Sequence, residues 1–186
     1  SIYSKYYPSF MKHIVALYLF GILLLATPLL VRAEYVLPYP SYMPGNKHYK
    51  ISRFIDKIRQ PFYFGNLSSY KYHLSLADKY LVEAKTLFEY KQYLLASDAL
   101  ARSDSEFAKT TQFLLGARQE RKDISAFVRQ LAQASALHTE ILLRMNEVLP
   151  PSYEWKPEKS DAIQLSIADM VRESVMVRKN AVIRLR

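Results

Sequence analysis

Any catalytic or metal site in this 186-residue chain would have to be built from four histidines, a scatter of carboxylates and no cysteine. The histidines are His13, His48, His73 and His138. No two have the i, i+4 spacing by which one helix presents a metal pair, and no HExxH motif occurs. His138 shares an apolar stripe with Ile141 and Met145, the setting of a core histidine satisfied internally. His73 with Asp78 is too loosely spaced to define a site. Asp98, Asp104 and Glu106 are interleaved with Ser97, Ser103 and Ser105. Carboxylates on facing helices can act as acid–base pairs, but solvated helix surface accounts for these three with fewer assumptions. There is no GxSxG elbow, P-loop or GxGxxG, and four glycines leave little room for a phosphate cradle. The expectation is therefore no catalytic residue, no metal ligand and no cofactor, although spacing leaves open a metal assembled from residues distant in sequence.

Aromatic side chains are the other candidates. Of 15 tyrosines, several fall on helix stripes, where a ring is buried and its hydroxyl kept at the edge. Tyr35, Tyr39, Tyr42 and Tyr153, with the lone Trp155, fall in predicted loops. These five are the candidate ligand or partner contacts, able to stack on sugars or peptides.

Such side chains need a scaffold, and composition points to a helical one. Glycine is scarce, while Ala, Leu, Lys, Glu and Tyr are plentiful. The absence of cysteine removes disulfides, thiol nucleophiles, thiolate metal sites and a lipoprotein-type anchor. It also fits an exported protein. The formal charge is +9. Residues 1–33 hold Lys5, Lys12 and Arg32 and no acid, so the rest carries 26 − 3 = 23 bases against 17 acids, or +6. That excess permits association with anionic lipid or wall polymer and disfavours nucleic acid as the partner outside a cell.

The N-terminal third has a layered organisation. Residues 1–10 (SIYSKYYPSF) suit neither a signal n-region nor a folded element, and translation is expected to start at Met11. Lys12 and His13 then form a short basic n-region, and residues 14–31 run apolar and uncharged. Val31-Arg32-Ala33 places small residues where a signal peptidase reads them. Residues 11–33 are therefore expected to be a signal peptide or, uncleaved, a membrane anchor near the ~20-residue length of a spanning helix. Either way the bulk of the chain lies outside the cytoplasm, because the positive n-region stays within. Residues 34–46 carry Pro38, Pro40 and Pro44 among Tyr35, Tyr39 and Tyr42. This is an extended arm, either a recognition strap, a segment packed along the domain, or a spacer.

Residues 47–186 read as a helical bundle domain. Residues 48–60 form a short basic amphipathic helix with Ile51, Ile55 and Ile58 on one side, expected to pack on the bundle, a membrane-surface role being the alternative. Four longer helices follow, three of them over 67–90, 93–115 and 124–149. Asn66 and Asp123 are candidate caps, 89–92 a tight turn, and Gly116 a break that a continuous helix could absorb. Pro150-Pro151 stops the third helix, and residues 152–159 are a linker. A last helix starts at Ser160 or Asp161 and carries Ile163, Ile167, Met170 or Val171, Ser174, Val177, Ala181 and Leu185 on its stripe. Arg178, Lys179, Arg184 and Arg186 then complement its dipole.

The fold class expected is all-α: an antiparallel bundle of about four long helices, with a short N-terminal helix and a Pro/Tyr-rich arm. Leu37-Pro38 and Pro44-Gly45 before Tyr49-Lys50, with Leu76-Ala77 and Glu83-Ala84 on the first long helix, resemble an uncharacterised family of exported helical domains, domain of unknown function 5667, of candidate-phyla-radiation (Patescibacteria) bacteria. The resemblance covers roughly residues 36–110. It implies an exported helical domain and carries no active site. The function these features favour is a non-enzymatic, extracytoplasmic structural or protein-interaction role at the cell envelope, with an unidentified envelope protein as partner. The alternative is a module binding an anionic wall polymer, glycan or lipid headgroup. The helix stripes could equally form a seam between two copies of the chain.

Overall fold

The computed structural model describes residues 35–39, 51, 54–55, 58, 63–157 and 161–185. Residues 1–33, with the expected signal, lie outside the described residues, as do Tyr42, Pro44 and Ser160. The described residues belong to one compact unit, Tyr35–Arg186. It is mostly helical, with α1 Asn66–Glu89, α2 Tyr93–Gln119, α3 Ser125–Val148 and α4 Ile167–Ile183, and a small β1–β2 pair between α3 and α4.

Each helix follows its apolar repeat, and its ends follow local chemistry. Gly65, at φ 82, sits in the left-handed region ahead of α1. After α1, Lys91 at φ 59 turns the chain. The amide of Lys91 donates to the Phe88 carbonyl and that of Gln92 to the Leu87 carbonyl, both at 2.9 Å. This is a Schellman closure built on lysine instead of glycine. Arg121, also at φ 59, repeats it after α2, with Lys122 donating to Ala117 at 3.1 Å. Sequence reading finds the first turn and ends the second helix at 115, with a helix continuing through Gly116 as the alternative. In the structure α2 runs through Gly116, because that glycine serves close packing: a Cβ there would come within 2.8 Å of the Asn66 side chain. Asn66 in turn donates to Glu120 at 2.6 Å. The N-cap position of α3 is Ile124, not Asp123; Asp123, just ahead of it, accepts the Ser125 amide at 2.9 Å.

The predicted linker is in part a β-hairpin. Tyr153–Trp155 (β1) pairs antiparallel with Ile163–Leu165 (β2), and Trp155 sits opposite Ile163. Tyr-Glu-Trp and Ile-Gln-Leu both alternate with the period of two that strands require, and the flanking prolines exclude helix. Consequently α4 begins at Ile167, behind Ser166, and not at Ser160 or Asp161; Asp161 and Ile163 are outside it. The short N-terminal helix differs from expectation in packing. Ile51, Phe54, Ile55 and Ile58 are helical but 40–64% exposed, so they do not bury an apolar face against the bundle.

α1 makes its most extensive contact with α2, and α4 rests on both α2 and α3. Partners run in opposite order along α1 and α2: Ala77 with Ser103, His73 with Glu106 and Asn66 with Glu120. The core has two apolar halves. One contains Leu81, Leu87, Leu100, Leu142, Ile167 and Val171. The other contains Tyr70, Leu74, Phe107, Leu114, Leu131 and Ala181. Where the halves meet, each helix carries polar residues: Asp78 on α1, Ser103 and the partly buried Asp104 on α2, Ser135 and His138 on α3, and Ser174 and Arg178 on α4. A polar layer therefore crosses the waist of an apolar core.

Candidate functional site

The polar layer concentrates the titratable side chains at the centre of the fold. On one side Arg178 of α4 is fully buried. Its Nη1 is ion-paired with Asp104 of α2, and Nη1 also donates to the Ser174 carbonyl at 3.1 Å. Its Nη2 donates to the Ser103 hydroxyl at 2.7 Å. Ser103 passes its own proton to the Ala77 carbonyl at 2.8 Å, and Ser174 donates to Asp104 at 2.7 Å. Burial pulls the Arg178 guanidinium below its ordinary value, and Asp104 opposes that pull. The group stays charged, since arginine starts above 12. An uncompensated buried charge is strongly unfavourable, so this ring of acceptors is what permits the arginine to be inside.

On the other side His138 of α3 is equally buried, with Nε2 2.8 Å from the Asp78 carboxylate of α1. Burial is the largest influence on His138 and drives it below its ordinary value, outweighing the help from Asp78. The imidazole is thus neutral. The neutral ring donates through Nε2–H, which leaves an acceptor lone pair at Nδ1, an atom without a hydrogen-bond partner among the described residues. Asp78 accepts a second proton donor, the Tyr35 hydroxyl, at 2.5 Å. Burial and then the Asp78 charge push the Tyr35 phenol far above its usual value, so the hydroxyl keeps its proton. Phe107 separates the two sides, its ring 5.2 Å from the His138 ring and 5.3 Å from the Arg178 guanidinium.

Tyr–Asp–His is a set of groups that can relay protons. Here each polar contact joins different parts of the fold, and the pair at its centre is closed off from solvent. The serine protons are committed to Ala77 and Asp104. The arrangement ties the helices and the 35–39 strap together.

The candidate contact residues fall in separate places. Tyr35 is drawn into the layer and packs on the second apolar half. Leu37 packs on the first, and Tyr39 is 96% exposed. The Tyr153 ring packs at a tilt against Tyr93, centroids 4.5 Å apart, beside the first half, and Trp155 stands half-exposed on β1. The structure thus takes Tyr35 and Tyr153 into packing and leaves Tyr39 and Trp155 facing outward. Tyr42 lies outside the described residues.

Two acids expected on solvated surface are instead engaged. Asp104 holds Arg178, and Glu106 is paired with His73 at 2.5 Å. His73 also stacks on Phe113 at 4.9 Å. Burial alone would raise the Glu106 carboxyl, but its bonds from His73 and Lys109 outweigh that and hold it below the ordinary range. Asp98 is on the surface as expected, bonded to Arg102. Arg178, expected to serve the helix dipole, is a core residue. Sequence reading missed these pairings because 60 residues separate Asp78 from His138 and 74 separate Asp104 from Arg178. The available signal was positional: Val171, Ser174, Arg178, Ala181 and Leu185 repeat at spacings of 3 and 4.

Elsewhere, an apolar groove of about 350 Å³ runs between α1 and α3, floored by Phe88, Tyr93, Ile141 and Met145. On its rim Lys85 is bonded to Glu89 and Arg144 to Glu140. Among the described residues no group of His, Asp and Glu is arranged to hold a metal ion. Nor, among them, is any helix long and apolar enough to cross a membrane.

Residues 41–152 match the family model described as domain of unknown function (DUF5667). The chain belongs to this family. The match takes in the segment before α1, all of α1 to α3 and the Pro150-Pro151 stop. No curated protein and no solved structure matches the chain.

Proposed function

We propose that this DUF5667 chain is a non-enzymatic, extracytoplasmic protein of bacteria, exported by residues 11–33 and acting at the outer face of the cytoplasmic membrane. Its role there is structural or protein-interacting, with an envelope protein as partner, and its four helices form an antiparallel bundle entered by the Pro/Tyr arm. The observation that carries this reading is the polar layer, whose acids, histidine and arginine are bonded to one another across helices in a closed interior. Groups spent on fixing helix against helix suit a rigid scaffold. The compact unit beginning at Tyr35 adds support, because export with cleavage after Ala33 would release a chain starting one residue earlier. The test is in the native envelope. N-terminal sequencing is expected to find Glu34, or Met11 if the segment is retained as an anchor, and crosslinked pull-down to recover a defined envelope protein. Hydrolysis of wall or peptide substrates by the purified chain, abolished by one carboxylate substitution, would overturn it.

The 96% exposure of Tyr39 and the outward Trp155 favour one alternative, a module stacking its rings on glycan or anionic wall polymer. Salt-sensitive binding to purified wall polymer, lost in Tyr39→Ala with Trp155→Ala, would support that alternative. No binding at low ionic strength, where attraction between exposed charges is strongest, would remove it.

A further inference from the structure

We infer that the helical stretch around Ile51–Ile58 is a docking surface for an anionic phospholipid bilayer. Ile51, Phe54, Ile55 and Ile58 are helical. They sit at i, i+3, i+4 and i+7, which places them on one face of a helix. Their exposures are 55, 64, 40 and 47%. Phe64, beyond the helical residues, is also exposed, at 82%. Leu95, Leu143 and Met176, by contrast, are exposed singly on three different helices, which is ordinary for a protein surface. A contiguous apolar face turned to solvent is not, and marks an interaction site.

Charge selects the occupant. Residues 47–60 carry Lys47, Lys50, Arg53, Lys57 and Arg59 against Asp56 alone, 5 − 1 = +4. A second copy of the chain would bring +4 against +4, so self-pairing through this face is opposed. An apolar helical face set among cations, with a phenylalanine within it, matches a helix lying in the headgroup region of a negatively charged leaflet. The tie to the bundle comes through Tyr63, whose ring lies 4.8 Å from that of Tyr72 on α1. A helix seated in lipid would thereby orient the rigid bundle against the membrane. This inference rests on the proposed export to the outer membrane face and names the surface that chain would use.

The absence of cysteine makes the test clean, since a single introduced thiol carries the only label. The full chain is reconstituted with an environment-sensitive fluorophore at Ile55→Cys, or at Met176→Cys on α4 as control, a site 54% exposed. Vesicles are phosphatidylcholine alone or phosphatidylcholine with phosphatidylglycerol. The expected result is a blue shift and quenching by lipid-borne nitroxide at position 55 only, in phosphatidylglycerol vesicles only, diminished in 1 M salt, where screening reaches ~3 Å. Lys50→Gln, Arg53→Gln and Lys57→Gln together are expected to weaken docking roughly a hundredfold, at about a factor of five per cation. Identical spectra at positions 55 and 176 in both lipids would overturn the inference. So would a shift at 55 that follows protein concentration instead of lipid, which would mean a second copy covers the face. If the chain fractionates with envelopes while position 55 stays in water, only this inference falls and the proposed location stands.

Discussion

The middle of the helical unit and the stretch leading into it depart from ordinary burial in opposite directions. At the waist, Arg178 and His138 have no exposed surface, and Asp78 has 7%. Around residues 51–58, isoleucine and phenylalanine face water. The buried charges are compensated group by group, Arg178 by Asp104, Ser103 and a carbonyl, and Asp78 by Tyr35 and His138. The exposed apolar face has no comparable compensation among the described residues. The contrast teaches where each region finds its stability: the waist is completed from within the chain, and the 51–58 face is not covered by the described residues.

Removing one member of the compensated set should therefore have the largest effect. Asp104→Ala strands a fully buried guanidinium, and breaking such a pair costs about 3–5 kcal/mol. Urea unfolding followed by far-ultraviolet circular dichroism is expected to show that loss. Asp104→Leu with Arg178→Met, which removes both charges and keeps the volume apolar, should recover most of it. If Asp104→Ala were as stable as the parent chain, the waist would not depend on internal pairing and the contrast would fail.

Next in size is Tyr35→Phe. It leaves the ring packed but deprives Asp78 of one donor, at a cost of about 1–3 kcal/mol. Because Tyr35 anchors the strap at residues 35–39, proteolysis near the N-terminus is expected to accelerate more than global unfolding. Equal acceleration of both would mean that the strap and the layer open as one unit.

The helices were legible because an apolar residue every third or fourth position survives in one dimension. The spacing of Leu74, Ala77, Leu81 and Phe88 by itself marks out α1. The hairpin was missed because three-residue strands offer only one cycle of alternation, and Tyr153 and Trp155 read equally well as loop aromatics. The layer was missed for a different reason. Its members sit on the apolar stripes, yet what makes Arg178 a core residue is Asp104 on another helix, and local periodicity does not record partners. His138 was legible as a core histidine, with its Asp78 partner unnamed and its Nδ1 left without a hydrogen-bond partner among the described residues. The 51–58 helix shows the converse: periodicity announced its apolar face but not whether anything covers it.

The two sides of the waist should also respond differently to acid. Arg178 stays charged throughout the acid range, since a guanidinium is not deprotonated in proteins. The His138 pKa is depressed in the folded chain by burial, with Asp78 and Asp104 favouring and Arg178 opposing the proton. The unfolded chain, with a histidine near 6.5, therefore takes up the proton first as pH falls. Stability is full above about pH 6.5 and declines below it, by at most ~1.4 kcal/mol per pH unit, until the folded histidine is itself protonated. Glu106, also depressed, acts in the same sense but only from the ordinary carboxylate value of about 4.3 downward. Unfolding free energies measured at pH 7.5 and 5.5 should thus differ in the parent chain, and the difference should shrink in His138→Gln. An unchanged difference would assign the acid response to other groups and leave both sides of the layer insensitive to pH.

The smallest effect is expected where the contrast is sharpest to read. Ile55→Gln replaces a branched apolar side chain by a polar one. At a packed core position such a change would leave an amide without partners and cost several kcal/mol. At an exposed position it should fall within about 0.5 kcal/mol of the parent. Ile55 is 40% exposed on a helical face whose neighbours Ile51, Phe54 and Ile58 are also exposed, so near-neutrality in water is the expected outcome. The same substitution is then expected to weaken vesicle docking, because it removes apolar surface from the face that meets the lipid. A loss of 2 kcal/mol or more in water would mean that Ile55 is packed against the rest of the chain in solution. The 51–58 stretch would then be completed from within, as the waist is.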